Sequence, residues 1–130
     1  MVRIFLVDDN AMIRSQLRKM LERHDEWVVV GEAENGRTAL KKWGKNPPNV
    51  TLMDFVMPEM NGLEASRELS KEHPGAPILM VTIDPSQELE AEAKKAGIRG
   101  LCKKSDMKCL LVAIEAVLSG RTYFPRLAVA

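Results

Sequence analysis

The segment VRIFLVDDN, residues 2–10, is a run of apolar and β-branched residues that stops at two adjacent carboxylates. Three later segments are built in the same way, each stopping at a polar side chain: NVTLMD (49–54), PILMVT (77–82) and IRGLCKK (98–104). Short apolar runs bounded by polar residues are typical of buried strands. If all four are parallel strands of one sheet, their carboxyl ends meet at the edge where α/β sheets bind ligands. That edge would carry Asp8, Asp9, Asp54, Thr82 and Lys104.

The stretches between these runs have helical spacing of their apolar residues, so strands and helices alternate along the chain. The predicted strands are about Val2–Val7, Trp27–Ala33, Val50–Asp54, Ile78–Thr82 and Arg99–Lys103. The predicted helices are about Ala11–Arg23, Arg37–Trp43, a third that ends near Glu72, Ser86–Ala96 and Met107–Ser119. The first is expected to be capped by Asp9 or Asn10, and the last by Ser105 or Asp106. This alternation indicates an α/β domain with a parallel sheet and right-handed crossovers.

The composition bounds the class of protein. A chain of 130 residues fits one domain with a substantial core. Its 19 basic and 18 acidic residues give a net charge of +1, which argues against broad electrostatic binding to nucleic acid. No apolar run approaches the roughly 20 residues of a membrane span and no signal peptide is visible, so a cytoplasmic protein is expected. Cys102 and Cys109 form no C-x-x-C pair, which predicts two buried or half-buried thiols in a reducing compartment.

Three carboxylates gathered at one edge of the sheet repel one another. Each raises the pKa of its neighbours, so a site that holds all three near neutral pH needs a cation. Magnesium takes oxygen ligands, and it usually binds through one or two carboxylates together with waters and phosphate oxygens. We expect Asp9 and Asp54 to be direct ligands and Asp8 to hold a water on the ion. The backbone carbonyl of Val56 is the simplest further ligand.

The same edge suits phosphoryl transfer. An aspartate can attack phosphorus and form an aspartyl phosphate, and Asp54 lies on the middle of the three strands. The ammonium of Lys104 can neutralise phosphoryl oxygens, and the hydroxyl of Thr82 can donate to one of them. Taken singly, the carboxylates are more often turn residues or a helix cap, Thr82 fits a turn, and Lys103–Lys104 is usually a solvated pair. Their common position at strand ends favours a site.

Four segments together resemble a response-regulator receiver domain over nearly the whole chain: FLVDDN (5–10), LMDFVMPEMNG (52–62), ILMVT (78–82) and GLCKKSD (100–106). The spacings of 28 residues from Asp54 to Thr82 and 22 from Thr82 to Lys104 also match that family. The segments VVVGEAENGRTAL (28–40) and AIEAVLSGRTYF (113–124) are similar to its NarL-type branch, in which a helix-turn-helix DNA-binding domain usually follows the receiver.

This resemblance implies a flavodoxin-like (βα)5 fold, a doubly wound sandwich with strand order 2-1-3-4-5. It implies that Asp54 accepts a phosphoryl group from a phosphohistidine on a sensor histidine kinase, and that Asp8 and Asp9 organise Mg²⁺. Thr82 and Lys104 would contact the phosphoryl group. A shift of Thr82 would then change the face formed by the fourth helix, fifth strand and fifth helix. Such a protein is a two-component signalling switch and not a turnover enzyme.

Two residues depart from the family pattern. The family usually has Tyr or Phe three residues before the lysine, where this chain has Leu101, and a small residue after the switch threonine, where it has Ile83. Leucine has no ring hydroxyl and is expected to be buried without a polar contact. Ile83 is expected to narrow access to Asp54. We therefore predict slower phosphorylation by small donors and a smaller conformational response.

The domain organisation is predicted as a receiver at 1–120, followed by a C-terminal tail or linker start at 121–130. Either an output domain has been removed or the receiver acts alone through protein–protein contacts. In the last helix, a buried stripe is expected at 110, 111, 114, 117 and 118, with further apolar surface at 112, 113 and 116. This surface belongs either to a well-covered helix or to a face that docks a second subunit, as in a homodimer, or an output domain. An alternative is a phosphohydrolase of haloacid-dehalogenase type, but the second Asp it needs is Val56 here. A further alternative is a receiver-like binding module whose site is no longer active.

Overall fold

The computed structural model describes residues 1–125, which form alternating strands and helices. The strands are β1 (Val2–Val7), β2 (Trp27–Ala33), β3 (Val50–Asp54), β4 (Ile78–Thr82) and β5 (Gly100–Lys103). The helices are α1 (Ala11–Leu21), α2 (Gly36–Trp43), α3 (Gly62–Glu72), α4 (Gln87–Lys95) and α5 (Met107–Leu118). The strands form one sheet in the order β2-β1-β3-β4-β5, and every neighbouring pair is parallel. The predicted flavodoxin-like fold is confirmed.

Both faces of the sheet are buried under helices, as parallel sheets require. Successive side chains of a strand point to opposite faces. Phe5 and Val7 of β1 therefore pack in the cluster that also holds buried residues of α2, α3 and α4, while Ile4 and Leu6 pack in the cluster that holds residues of α1 and α5. All residues of the central strands β3 and β4 are buried, whereas the edge strand β2 keeps Glu32 partly exposed.

The register of the sheet aligns the carboxyl ends of the strands. Val7 pairs with Met53 across β1 and β3, and Asp54 pairs with Val81 across β3 and β4. Thr82 in turn pairs with Lys103 of β5. The polar residues that end these strands are thus brought to the same level of the sheet.

Side-chain caps fix the loops at this edge. The Asn10 side chain accepts hydrogen bonds from the backbone N–H groups of the first turn of α1, and Asp106 caps α5, so one of the two expected residues caps each helix. Asn61 and Glu64 form a capping box at α3. A Cβ atom on Gly62 would lie 2.1 Å from the carbonyl oxygen of Asp54, so only glycine lets the loop after β3 return this close to the strand.

The expected burial of the last helix was wrong in part. Ala113 is fully buried, whereas Leu111 and Leu118 are only half-buried. The face of α5 on the sheet consists of Leu110, Ala113, Ile114 and Val117, which follow the i, i+3, i+4, i+7 spacing. Three helices also end earlier than predicted: α1 ends at Leu21, α4 at Lys95 and α5 at Leu118, each one or two residues before the expected end.

The chain after α5 returns to the open edge of β5. The Tyr123 N–H donates to the Arg99 carbonyl, and the Leu101 N–H donates to the Tyr123 carbonyl. The ammonium of Lys94 lies 4.9 Å from the ring centroid of Phe124. The predicted tail at 121–130 lies outside the described residues from 126 onward, and the domain boundary at 120 stays a prediction. Among residues 1–125, none of the helices has the length and apolar character needed to cross a membrane.

Candidate functional site

The predicted site residues come from the ends of four strands. Asp8 follows β1, Asp54 is the last residue of β3, Thr82 is the last residue of β4, and Lys104 follows β5. Backbone hydrogen bonds continue the sheet by one residue here: the Lys104 N–H donates to the Thr82 carbonyl at 2.8 Å, and the Asp8 N–H donates to the Ala33 carbonyl at 3.1 Å. The strand register therefore fixes the positions of the backbone at Asp8 and Lys104.

Three carboxylates and one ammonium converge at this edge. One carboxylate oxygen from each of Asp8, Asp9 and Asp54 lies within 4.8 Å of the others. The Lys104 Nζ lies 2.9 Å from Oδ2 of Asp8 and 3.3 Å from Oδ1 of Asp54. Asp8 and Asp54 are buried, while Asp9 is exposed. We call these four residues the acid site; it has three formal negative charges against one positive charge.

The acid site perturbs the pKa values of its members. Burial, followed by repulsion from Asp8, raises the pKa of Asp54 to about 6, although the Lys104 charge partly offsets this. Burial tends to lower the pKa of Lys104, but its hydrogen bond to Asp8 and the charge of Asp54 outweigh burial, and the pKa is raised. One ammonium is therefore too little positive charge for three carboxylates. A hard divalent cation with oxygen ligands fits this donor set.

A second charged cluster contacts the loop that joins β1 to α1 and contains Asp8. The guanidinium of Arg14 donates to the backbone carbonyl of Asp8 and to Oε1 of Glu32, the latter at 3.0 Å. Arg18 donates from Nε to Oε2 of the same carboxylate at 3.0 Å. We call Arg14, Arg18 and Glu32 the arginine clamp, because it joins α1 to β2. Burial tends to raise the pKa of Glu32, but the hydrogen bonds from Arg18 and Arg14 outweigh it and lower the pKa.

Sequence reasoning missed the arginine clamp. A signal was present, since Arg14 and Arg18 are four residues apart on one face of α1, and a glutamate interrupts the apolar run of β2. Two opposite-charge features on elements that pack together indicate an ion pair, but only the packing of α1 on β2 shows that they meet.

The departures from the family pattern lie on opposite sides of the sheet. Leu101 is 2% exposed and packs in the cluster under α4, so its expected burial is confirmed. Ile83 is 71% exposed and stands at the mouth of a cavity of about 340 Å³ that Asp54 and Lys104 also line. The other walls of this cavity are mostly apolar residues of α1, α5 and the sheet, among them Leu17 and Leu110.

Val56, expected to offer its backbone carbonyl to the ion, lies two residues beyond β3 and its side chain is exposed. Its role as a ligand stays a prediction. The hydroxyl of Thr82 is equally untested as a phosphoryl contact; Thr82 itself is buried at the end of β4.

Comparison with known proteins gives a consistent family. The family model for the response regulator receiver domain matches residues 4–115. The chain is 36% identical over 124 residues to the response regulator UvrY of Shigella flexneri, covering 95% of this chain and 57% of the relative. It is 35% identical over 130 residues to the response regulator GacA of Pseudomonas viridiflava, covering 98% and 61%. The chain thus spans about three fifths of the length of these curated relatives.

The solved structures agree with the sequence relatives. A LuxR-family two-component response regulator from an Aurantimonas species superposes with a TM-score of 0.90 at 33% identity, covering 94% of this chain and 88% of that one. The signal receiver domain of the regulator NarL from Mycobacterium tuberculosis superposes with a TM-score of 0.85 at 25% identity, covering 92% and 98%. Both superpositions show that this chain shares the fold of these receiver domains.

Proposed function

Because this chain belongs to the response regulator receiver domain family of the NarL/LuxR type, we propose that it accepts a phosphoryl group on Asp54 from a phosphohistidine of a sensor histidine kinase. The observation that carries the proposal is the convergence of Asp8, Asp9, Asp54 and Lys104 at one edge of the sheet. Carboxylates of this kind bind a magnesium ion and serve as nucleophiles.

In the proposed reaction an Oδ atom of Asp54 attacks phosphorus, a new O–P bond forms, and the N–P bond of the phosphohistidine breaks. The departing imidazole nitrogen keeps the electron pair of that bond. Mg²⁺, when bound, would supply positive charge to the phosphoryl oxygens. Asp9 and Asp54 would hold the ion directly, together with the Val56 carbonyl, and Asp8 would hold it through a water molecule. The Asp54 carboxylate thus has two roles, as ligand and as nucleophile.

Lys104 and Thr82 would position the transferred group. The Lys104 ammonium already lies 3.3 Å from Oδ1 of Asp54, so it can pair with a phosphoryl oxygen after a small displacement. The Thr82 hydroxyl would donate to another oxygen. Movement of Thr82 would carry the loop after β4 with it, because β4 ends at this residue. The proposed result is a changed surface on α4, β5 and α5.

In the full-length protein we propose that this changed surface controls a DNA-binding output domain and hence transcription. The support is that the curated response-regulator relatives extend well beyond the matched region, and that a LuxR-family response regulator superposes closely on this chain. The receiver would occupy residues 1–120, and 121–130 would begin the linker. We propose a cytoplasmic location, because a DNA-binding output would act there. A stand-alone receiver that acts through protein contacts is the alternative.

The proposed activity is a single phosphotransfer onto the protein itself and not turnover of a substrate. The haloacid-dehalogenase alternative requires a second aspartate two residues after the first, as a general acid and base, and this chain has Val56 there. Leu101, buried and apolar, leaves the proposed switch without the hydroxyl of a tyrosine. We therefore propose a smaller response of the β5 region to phosphorylation.

The test is mass spectrometry of the intact chain after incubation with acetyl phosphate and Mg²⁺. The parent should gain one phosphoryl group, and Asp54→Asn should gain none. Asp25→Asn is the matched control, because it makes the same change at an exposed residue in the turn before β2, and it should be labelled like the parent. Chelation of Mg²⁺ should abolish labelling. Labelling that persists in Asp54→Asn would refute the assigned acceptor.

We also propose a homodimer through the last helix. Val112 is 53% exposed on α5, on the side away from the sheet, next to the half-buried Leu111. Sedimentation with and without a beryllium fluoride phosphoryl mimic would test it. Association that grows with concentration and is lost in Val112→Asp supports the dimer. A monomer at all concentrations in both states contradicts it.

A further inference from the structure

The two cysteines of the chain are in contact in the folded structure. Cys102 lies on β5 and Cys109 in the first turn of α5, and their Sγ atoms are 2.9 Å apart. A disulfide bond has a length of about 2.05 Å. The two sulfur atoms therefore need to approach by less than about 1 Å to reach bonding distance. The spacing of seven residues in sequence gave no hint of this, because the contact depends on how α5 folds back on β5.

The two thiols have different environments. Cys102 is 1% exposed and packs among apolar residues of the sheet and α5. Burial, followed by the hydrogen bond with Cys109, raises the pKa of the Cys102 thiol well above its ordinary value. Cys109 is only half-buried, and its backbone N–H is bound by the Asp106 carboxylate at 3.0 Å. A reagent in solution therefore meets Cys109 first, with Cys102 held directly behind it.

We propose that Cys102 and Cys109 form a modification site, at which thiol–disulfide exchange with a low-molecular-weight disulfide produces an intramolecular disulfide. Cys109 gives its proton to water, and its thiolate attacks one sulfur of the reagent. An S–S bond forms at Cys109 as the S–S bond of the reagent breaks, and a small thiolate leaves. Cys102 then attacks the Cys109 sulfur, its proton goes to the released thiolate, and a second small thiolate leaves and is protonated by water. The two protein thiols are oxidised and the reagent is reduced to two thiols.

The location of this bond gives it a consequence. It would join the end of β5 to the start of α5 and so close the segment 103–108, which contains Lys104. The Lys104 ammonium contacts both buried carboxylates of the acid site. The disulfide would limit how far this segment can move away from β5. Formation of this bond does not depend on the proposed function, because it requires only the contact of the two sulfur atoms and a disulfide reagent.

The test uses oxidised glutathione with the folded chain and no denaturant, followed by intact mass spectrometry and peptide mapping. The parent should lose the mass of two hydrogens, form no disulfide-linked dimer, and yield a linked peptide pair containing Cys102 and Cys109. Dithiothreitol should restore both thiols. A parent that keeps a stable glutathione adduct at either cysteine, forms a disulfide-linked dimer, or retains two free thiols would overturn the proposal.

Single-cysteine variants separate the two steps. Cys102→Ala should accumulate one glutathione at Cys109, because no second thiol is present to displace it. Cys109→Ser should retain a free Cys102, because the remaining thiol is buried. Cys102→Ala removes a core side chain, so its fold is checked by circular dichroism. Cys109→Ser changes only a partly exposed residue, so it tests the order of attack even if Cys102→Ala fails to fold. Rapid glutathionylation of Cys102 in folded Cys109→Ser would contradict the assigned order of attack.

Discussion

The acid site and the arginine clamp are two charged clusters on either side of the same loop, but their charges are balanced differently. In the clamp, two guanidinium groups bind the single Glu32 carboxylate, and the pKa of Glu32 is lowered. In the acid site, three carboxylates share one ammonium, and the pKa of Asp54 is raised to about 6. The clamp is complete with protein groups alone, whereas the acid site is short of positive charge.

This difference separates a structural cluster from a functional one. A carboxylate with enough cationic donors stabilises the fold in its ionised form. A group of carboxylates without enough positive charge costs stability and provides affinity for a cation. The two clusters meet at Asp8, whose backbone carbonyl accepts from Arg14 while its carboxylate accepts from Lys104. The clamp therefore holds in place the loop on which the acid site depends.

The largest effect is expected from removing a carboxylate of the acid site. Asp9→Asn should weaken Mg²⁺ binding by roughly tenfold to a hundredfold, because one charged oxygen ligand becomes a neutral amide. Asp9 is exposed, so the fold should be retained. Isothermal titration calorimetry with Mg²⁺ measures the change, and Asp25→Asn, with the same loss of charge far from the sheet edge, should bind like the parent. Equal affinity in all three proteins would remove the acid site as the cation site.

A smaller effect is expected from breaking the clamp. Glu32→Gln leaves two arginines without their carboxylate and should lower the free energy of unfolding by about 1–2 kcal/mol. Urea unfolding followed by tryptophan fluorescence measures it. Glu26→Gln, at an exposed residue just before β2, is the matched control and should change stability by less than about 0.5 kcal/mol. If both variants unfold like the parent, the clamp contributes nothing to the fold.

A few-fold effect is expected at the entrance to the acid site. Ile83→Ala removes the exposed side chain at the cavity mouth and should speed labelling by acetyl phosphate by about twofold to tenfold. Met12→Ala, at a comparably exposed residue of α1, is the control and should leave the rate unchanged. Mass spectrometry measures the initial rate of phosphoryl incorporation in the parent and in both variants. An unchanged rate in Ile83→Ala would show that this side chain does not limit access to Asp54.

The smallest effect is expected for the pH dependence of the stability that the arginine clamp provides. Only the part of this stability that requires an ionised Glu32 changes with pH. The pKa of Glu32 in the folded protein is below its ordinary value of 4.5, so the unfolded chain takes up the proton first as the pH falls. The stabilisation is thus fully present above pH 4.5 and is lost as the pH falls through the folded pKa. Urea unfolding of the parent and Glu32→Gln from pH 6 to pH 3 measures the difference between them. That difference should shrink toward acid pH; a constant difference would contradict an ionic origin.

The cysteines and the last helix show where sequence patterns stop being informative. Periodicity correctly placed α5 and most of its buried face, yet it assigned Ala113 to the surface, because alanine fits equally well on either side of a helix. The contact of Cys102 with Cys109 and the meeting of Arg14 with Glu32 join residues of different elements. Such contacts depend on the rotation and depth of each helix on the sheet, which side-chain packing sets.

By itself the sequence determined the order of the elements, the parallel sheet and the polar residues at the strand ends. It did so because apolar runs that alternate with amphipathic helices can be buried only with both sheet faces covered, leaving polar groups at the strand ends. Only the tertiary structure decided the balance of charge in each cluster, since this depends on distances of a few ångströms between elements far apart in sequence. Asp54 and Glu32 are both carboxylates at strand positions, and their opposite pKa shifts come from burial beside other acids in one case and beside two arginines in the other.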